Sequence, residues 1–329
     1  MRRPAPMDVA PLDPATRTTE DEAHTRCVDF VRAHARGEVE GLFGPDSLAW
    51  EMYREVVTPV SFLSAVLMQM AHPAIAAGVA QHSNFVEDLM GRAYRTSASF
   101  YGLLFGALDD VLAGTRKLHK MHRAVRGRVT DRDVPGAGDA YRANDQALLR
   151  WVASTVTVAG RASFETFVRP LTAAEREESH RGMILANAAV GVLPEALPET
   201  AAGFEAWYQG VLDGPELVVG ETARRVVENL RQRPLLYGPL DELATAAFLP
   251  PRWRDAFGFR WGAAEQERFD RAVRAIRWGL RVTPAPYRYV IAWHQADARV
   301  RRARGERVSP WARAVDGVGR RWRLPTALA

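Results

Sequence analysis

The chain has 329 residues, 47% of them hydrophobic, and a formal net charge of +5 carried far more by arginine than by lysine. That is enough apolar material for one large domain or two ordinary ones, and no stripe of interleaved basic and aromatic residues points to a nucleic-acid partner. The single cysteine, Cys27, excludes an intramolecular disulfide and any cysteine-based zinc or iron–sulfur centre within one chain.

Residues 1–17 are rich in proline and polar groups and read as a flexible tail, with no apolar stretch after the opening arginines to suggest a signal peptide. Thr19 with Glu22 spells a capping box for a helix through Phe30 and Ala33. Residues 47–70 and 74–81 read as two helical pieces broken at His72–Pro73, because proline disfavours α geometry in the residue before it. The most apolar stretch, 56–80, is interrupted by Pro59, Gln69, His72 and Pro73, so it falls short of the roughly 20 clean apolar residues of a membrane span. Helices are expected next over 85–107 and 108–125, the second ending at Gly127, followed by a loop at 135–139. From Asn144 or Asp145 another helix begins. Its VASTVTVAG continuation is rich in β-branched residues, but no partner strand is evident, so it too reads as helix.

Thr172 and Glu175 form a second capping box, for a helix to Val190, and Pro194 and Pro198 mark a loop. Helices follow at 200–212, 215–232, 239–248, 263–281 and 284–299, their starts carrying proline or acidic residues. There is no internal repeat, no GxGxxG fingerprint, no P-loop and no GxSxG elbow. The expectation is an all-α, multi-helix single domain over 18–298, followed by an Arg-rich extension at 299–329 whose Trp311 and Trp322 suit packing.

Four of the eight histidines, His72, His82, His119 and His122, fall between residues 69 and 127, with Arg92, Arg95 and Thr96 between the two pairs. At about 100° per residue, Val111, Thr115, Leu118 and His122 lie within about 40° of one line, and His119 about 60° to one side. His122 therefore sits on an apolar stripe that should face the core. It is either a core residue held by ordinary hydrogen bonds or a neutral imidazole of the kind a haem iron takes as axial ligand. On the preceding helix Arg92, Arg95, Thr96, Ser99 and Phe100 share one face. The two guanidiniums either pair with Glu87, Asp88, Asp109 or Asp110, or hold a carboxylate ligand such as the propionates of haem.

His72 stands at the helix break, a common place for a functional side chain. His82, beside a cap at Ser83 and Asn84, reads as structural. His24, His34, His180 and His294 stand among charged or polar neighbours and read as surface residues. A second metal reading joins His119 and His122 with His72 or His82 and Glu87 or Asp88 in a non-haem iron or zinc site. The Glu-x-x-His pattern of di-iron bundles and the His-Glu-x-x-His pattern of zinc hydrolases are absent.

The segment LMQMAHPAIAAGVAQHSNFVEDLMGRAYRTSASFYGLLFG resembles the family that groups the MpaB-type oxygenases with the rubber oxygenases called latex-clearing proteins. HRAVRG, YRANDQALLRWVASTV, RPLTAAERE and the LPET loop carry the resemblance onward, and it extends more weakly through 215–232 and ELATAAFLPPRWRDAFGFRW, to cover roughly residues 45–290. It implies a haem b protein with an all-α, globin-like haem-binding core. His122 matches the family's axial histidine, and Arg92 and Thr96 match its R-x-x-x-T pair. Two departures stand out. The rubber oxygenases have a lysine just before that threonine, where this chain has Arg95, a guanidinium that stays protonated and is a poor ligand. Their distal glutamate has no counterpart in AIAAGVA, residues 74–80, which leaves His72 as the candidate general base.

The secretion signal of the rubber enzymes and the membrane anchor of the fungal oxygenase are not found either. The resulting expectation is a cytoplasmic, haem b-dependent oxygenase acting with dioxygen on a small, largely apolar intracellular substrate. His122 is the proximal iron ligand; Arg92, with Arg95, anchors a propionate or positions oxygen; Thr96 and His72 shape the distal side. Phe100 lies against the cofactor, with Met68, Leu104 and Phe105 as further wall. The alternatives are a non-haem iron or zinc metalloenzyme using His119 and His122, and a catalytically silent helical binding protein.

Overall fold

A computed structural model describes residues 18–82, 89–232 and 238–321. Helix α1, Glu20–His34, starts as the sequence spells it: the Thr19 hydroxyl accepts from the Glu22 amide and the Glu22 carboxylate from the Thr19 amide. The piece expected as one helix over 47–70 is instead α2, Leu48–Arg54, a 3-10 turn at Thr58–Ser61, and α3, Phe62–Met70. Pro59 supplies the reason, since it lacks the backbone donor that an unbroken helix would need there. After Met70 the chain turns sharply, by 104° between the Thr58–Met70 segment and α4, Pro73–His82. The His72 carbonyl starts α4 by accepting from the Ile75 and Ala76 amides.

Helices α5, Leu89–Phe105, and α6, Leu108–Ala124, follow. The expected glycine stop at Gly127 is corrected. Val125 caps α6, and Arg126–Arg128 forms β1, which pairs antiparallel with β2, Ala140–Arg142, placing Gly127 opposite Tyr141. A side chain at Gly127 would collide with Gln81 and the Tyr141 hydroxyl, so this glycine serves close packing against α4. Three-residue strands are too short to leave an alternating pattern.

Helix α7, Gln146–Phe167, includes the VASTVTVAG segment in full. Helix α8, Ala173–Ala189, opens on the second capping box. A 3-10 turn at Pro194–Ala196 leads to α9, Ala201–Asp213, and then α10, Glu221–Arg231. Residues 215–220 do not join α10 as expected, because the Val218 amide is taken by the Ala71 carbonyl at 2.8 Å. There follow α11, Pro239–Phe248, an unforeseen short α12, Pro251–Ala256, and α13, Ala263–Val282. A 3-10 turn at Ala285–Arg288 precedes α14, Ile291–Ala303, which runs unbroken through Arg299, and α15, Pro310–Arg321. Helix α15 folds back on α14, tied by Arg302 to Asp316 at 2.6 Å.

The architecture is all-α, with the β1–β2 pair its one named sheet among the described residues. Helix α7 runs through the centre. Its Trp151 packs in one cluster with Phe204, Trp207 and Tyr208, and its Phe164 in another with Trp50, Leu104 and Phe105. Fully burying a large apolar side chain such as Phe164 stabilises by about 1.5–3 kcal/mol. Polar groups inside this core are mostly paired. Trp151 Nε1 donates to the Met68 carbonyl at 3.2 Å, Ser163 to Val57 at 2.8 Å, and Gln69 Nε2 to Thr155 Oγ1 at 2.9 Å. Among the described residues no single helix is long and apolar enough to cross a membrane.

Candidate functional site

The stripe on α6 begins deep and ends shallow. Val111 and Thr115 are buried, the Thr115 hydroxyl donating to the Ala189 carbonyl at 2.8 Å; Leu118 and His122 are half-buried. His122 thus lies where the helix leaves the core. Its Nδ1 is buried and has no hydrogen-bond partner. Burial lowers the His122 pKa from its ordinary value, and the neighbouring His119 lowers it further, while the Asn144 carboxamide favours the protonated ring. The net direction keeps this imidazole neutral, as metal ligation requires.

His119 is differently placed. Its Nε2 lies 3.0 Å from Asp21 Oδ1 on α1, and its ring stacks on His24 with centroids 4.1 Å apart and planes within 7°. Asp21 also accepts from Arg123 at 3.2 Å, and its carboxyl is lowered first by the hydrogen bond from His119, then by Arg123. Buried Asn144 ties the two halves together, donating to Glu20 Oε2 at 3.1 Å and to the His119 carbonyl at 3.4 Å. The cleft among Glu20, His24, His119 and Asn144 has room for about one water.

With Nε2 bound to Asp21, His119 is not poised to chelate with His122. Among the described residues no group of three or more His, Cys, Asp or Glu side chains stands ready for a metal, so the multi-histidine reading finds no ligand set there. A lone neutral imidazole with an unpartnered buried nitrogen, a state His122 shares with His72, is a donor that suits a cofactor supplying the remaining ligands itself.

Arg95, Thr96 and Ser99 on α5 are exposed rather than set in a buried surface, and the Arg92 side chain lies outside the described residues. The expected acidic partners Glu87 and Asp88 lie outside them too. Among its side chains from Tyr94 onward, the helix packs into the core from Phe100. That ring packs edge-on against Phe62 and Tyr53, with centroids 5.0 and 5.2 Å away. Leu104 and Phe105 are buried in the same cluster and Met68 in the main core, so these residues are held in fold packing.

His72 is neutral for the same reason as His122: burial lowers its pKa, Glu216 opposes, and its Nδ1 is buried without a partner. It sits at the α3–α4 bend beside the 216–218 segment. The other end of α4, about 15 Å along the helix axis, carries His82, whose Nε2 lies 3.0 Å from the Arg126 carbonyl on β1. The contacts therefore bring the His82 end, and not His72, toward the strand that follows α6.

Three histidines expected at the surface are not there. His180 and His294 are buried, their Nε2 atoms 2.7 and 2.8 Å from the Pro198 and Pro286 carbonyls, and His24 is half-buried. Charged neighbours in sequence point to other faces of the same helix, so they say little about burial. The residues missed were Glu20, Asp21 and Asn144. In sequence the first two are the acidic first turn of α1, and Asp21 meets its partner His119 across 98 positions.

Residues 50–278 match the family model described as ER-bound oxygenase mpaB/B'/Rubber oxygenase, catalytic domain. Among curated relatives, Uncharacterized protein Rv2237 of Mycobacterium tuberculosis and Uncharacterized protein Mb2261 of Mycobacterium bovis are each 24% identical over 253 residues, spanning 74% of this chain and 97% of theirs. No solved structure matches.

Proposed function

Because the chain belongs to the mpaB/rubber oxygenase catalytic-domain family, we propose that it is a haem b-dependent oxygenase acting with dioxygen on a small, largely apolar intracellular substrate, with His122 as the proximal iron ligand. The observation that carries the reading is His122 at the end of the apolar α6 stripe, an imidazole held neutral by burial with a buried ring nitrogen unpartnered. Bound haem would supply the activation of dioxygen, chemistry that no side chain provides alone.

The protein's own residues prepare that site. Asn144, fixed by Glu20 and the His119 carbonyl, lies against His122 and limits how its ring can turn. Asp21 and His24 hold His119, which keeps the α6 imidazoles apart in role. Arg92 and Arg95 are assigned to the carboxylates of the bound group, since guanidinium pairs with carboxylate in a fixed fork. Thr96, one turn from Arg92, offers a hydroxyl to the same face. His72 is the neutral imidazole available to accept a proton at the α3–α4 bend.

The test is an absorption spectrum with metal analysis on protein expressed with haem supplied. The expected result is a Soret band in the wild type and in His119→Ala that is lost in His122→Ala. Retention of haem by His122→Ala would place the iron ligand elsewhere. Iron or zinc without a Soret band would favour the non-haem reading, and no cofactor at all the silent binding protein.

A further inference from the structure

One corner of the molecule gathers large apolar side chains that the described residues leave exposed. Trp278 and Val282 lie one turn apart at the end of α13, and Tyr287 follows on the next turn; Trp278 is 67% exposed and Tyr287 60%. The turn folds back onto α13, Arg288 donating to the Leu280 carbonyl at 2.9 Å, and holds exposed Val56 through its amide to the Arg288 carbonyl at 2.9 Å. Partly exposed Trp311 of α15 closes the group, its ring centroid 4.6 Å from that of Tyr287. Of the other exposed large residues, Ile291 starts α14, and Tyr94, Met121 and Leu240 lie on α5, α6 and α11.

The chain along this corner is rich in arginine. From residue 271 to residue 296 the chain carries Arg271, Arg274, Arg277, Arg281 and Arg288 and no carboxylate. Three are engaged: Arg271 with Glu267, Arg277 with the Thr166 carbonyl, and Arg288 with buried Glu55. Arg274 and Arg281 are exposed and have no ion-pair partner among the described residues. None of the 20 residues of α13 is fully buried, so the helix lies along the surface of the protein.

Tryptophan and tyrosine beside unpaired arginine on a shallow amphipathic helix is the composition that settles at the boundary of a bilayer. The rings take the headgroup level, the arginine stems lie along apolar surface, and the guanidiniums reach anionic headgroups. We propose that the end of α13, the following turn and Trp311 form a docking surface for an anionic lipid bilayer. The aliphatic side chains Val56 and Val282 favour a lipid boundary over a nucleic-acid backbone, which takes up the charge but offers nothing to cover them. The surface holds the protein at the membrane face without spanning it.

The experiment is sedimentation of the full chain with vesicles of phosphatidylcholine and with vesicles of an equal mixture of phosphatidylcholine and phosphatidylglycerol. Binding to the mixed vesicles is expected to exceed binding to the neutral ones by about tenfold or more and to weaken with salt. The double variants Trp278→Ser/Tyr287→Ser and Arg274→Glu/Arg281→Glu should each lose about tenfold, while Leu240→Ser should bind as wild type. All these side chains are exposed, so unchanged far-UV spectra and melting should accompany the loss. The proposal is overturned by equal binding to both vesicle types, or by binding that survives Trp278→Ser/Tyr287→Ser, which would be adsorption of a basic protein. It is equally overturned if, without lipid, the chain self-associates and the same substitutions abolish it.

Discussion

Helices α7 and α5 both mix polar residues into an apolar background, and they use them in opposite ways. On α7, Thr155 and Ser163 are buried and bonded: the first accepts from Gln69, the second donates to the Val57 carbonyl. These groups hold elements together. On α5, Arg95, Thr96 and Ser99 face solvent one turn before the helix enters the core at Phe100. A hydroxyl in water contributes little to folding, so Thr96 and Ser99 do not hold elements together as the α7 groups do.

The sharpest way to break this contrast is truncation on both helices. Phe164→Ala on α7 removes a fully buried ring and should cost about 3–5 kcal/mol in denaturant unfolding. Thr96→Ala should stay within about 0.5 kcal/mol. A Thr96→Ala loss approaching that of Phe164→Ala would make the α5 face structural. The next test asks whether buried polar groups near His122 behave like those of α7 or serve the ligand. Asn144→Leu should fold but retain haem about 10–100-fold less tightly, read by transfer of haem to an acceptor protein. If haem retention is unchanged and only stability falls, Asn144 belongs with the α7 class.

The smallest expected effect is in acid. Burial lowers the pKa values of His72 and His294 from the ordinary 6.5. Below 6.5 the unfolded chain therefore binds more protons than the folded one, and stability rises with pH across that window. The stability these groups contribute is complete above 6.5 and is lost as pH falls through their lower folded values. Melting temperature followed downward through this range should decline less steeply in His294→Gln. An identical slope would remove His294 from the account.

Much of the helical framework is local and was legible. The boxes at Thr19–Glu22 and Thr172–Glu175 and the break at Pro73 each depend on residues within one turn. The α6 stripe was legible too, because a single helix sets the angle between Val111 and Thr115, and both are buried. What escaped depends on other elements. Asp21 and Asn144 acquire meaning only when α1 and the start of α7 arrive beside α6. His180 and His294 are buried because of which helix face carries them, a fact that their charged sequence neighbours obscure. The exposure of α5 is set by how deeply α5 is inserted, which periodicity does not report.

Cys27 extends the same logic into time. It is fully buried on α1, and its thiol is pushed up to about 12, chiefly by burial. At neutral pH almost none of it is thiolate, so a thiol reagent meets an inert group while α1 stays seated. It is also the only thiol in the chain, so its labelling has no background. The labelling rate therefore counts how often α1 lifts, and each lift also carries away Asp21 and His24, the two groups that hold His119 beside the candidate iron ligand.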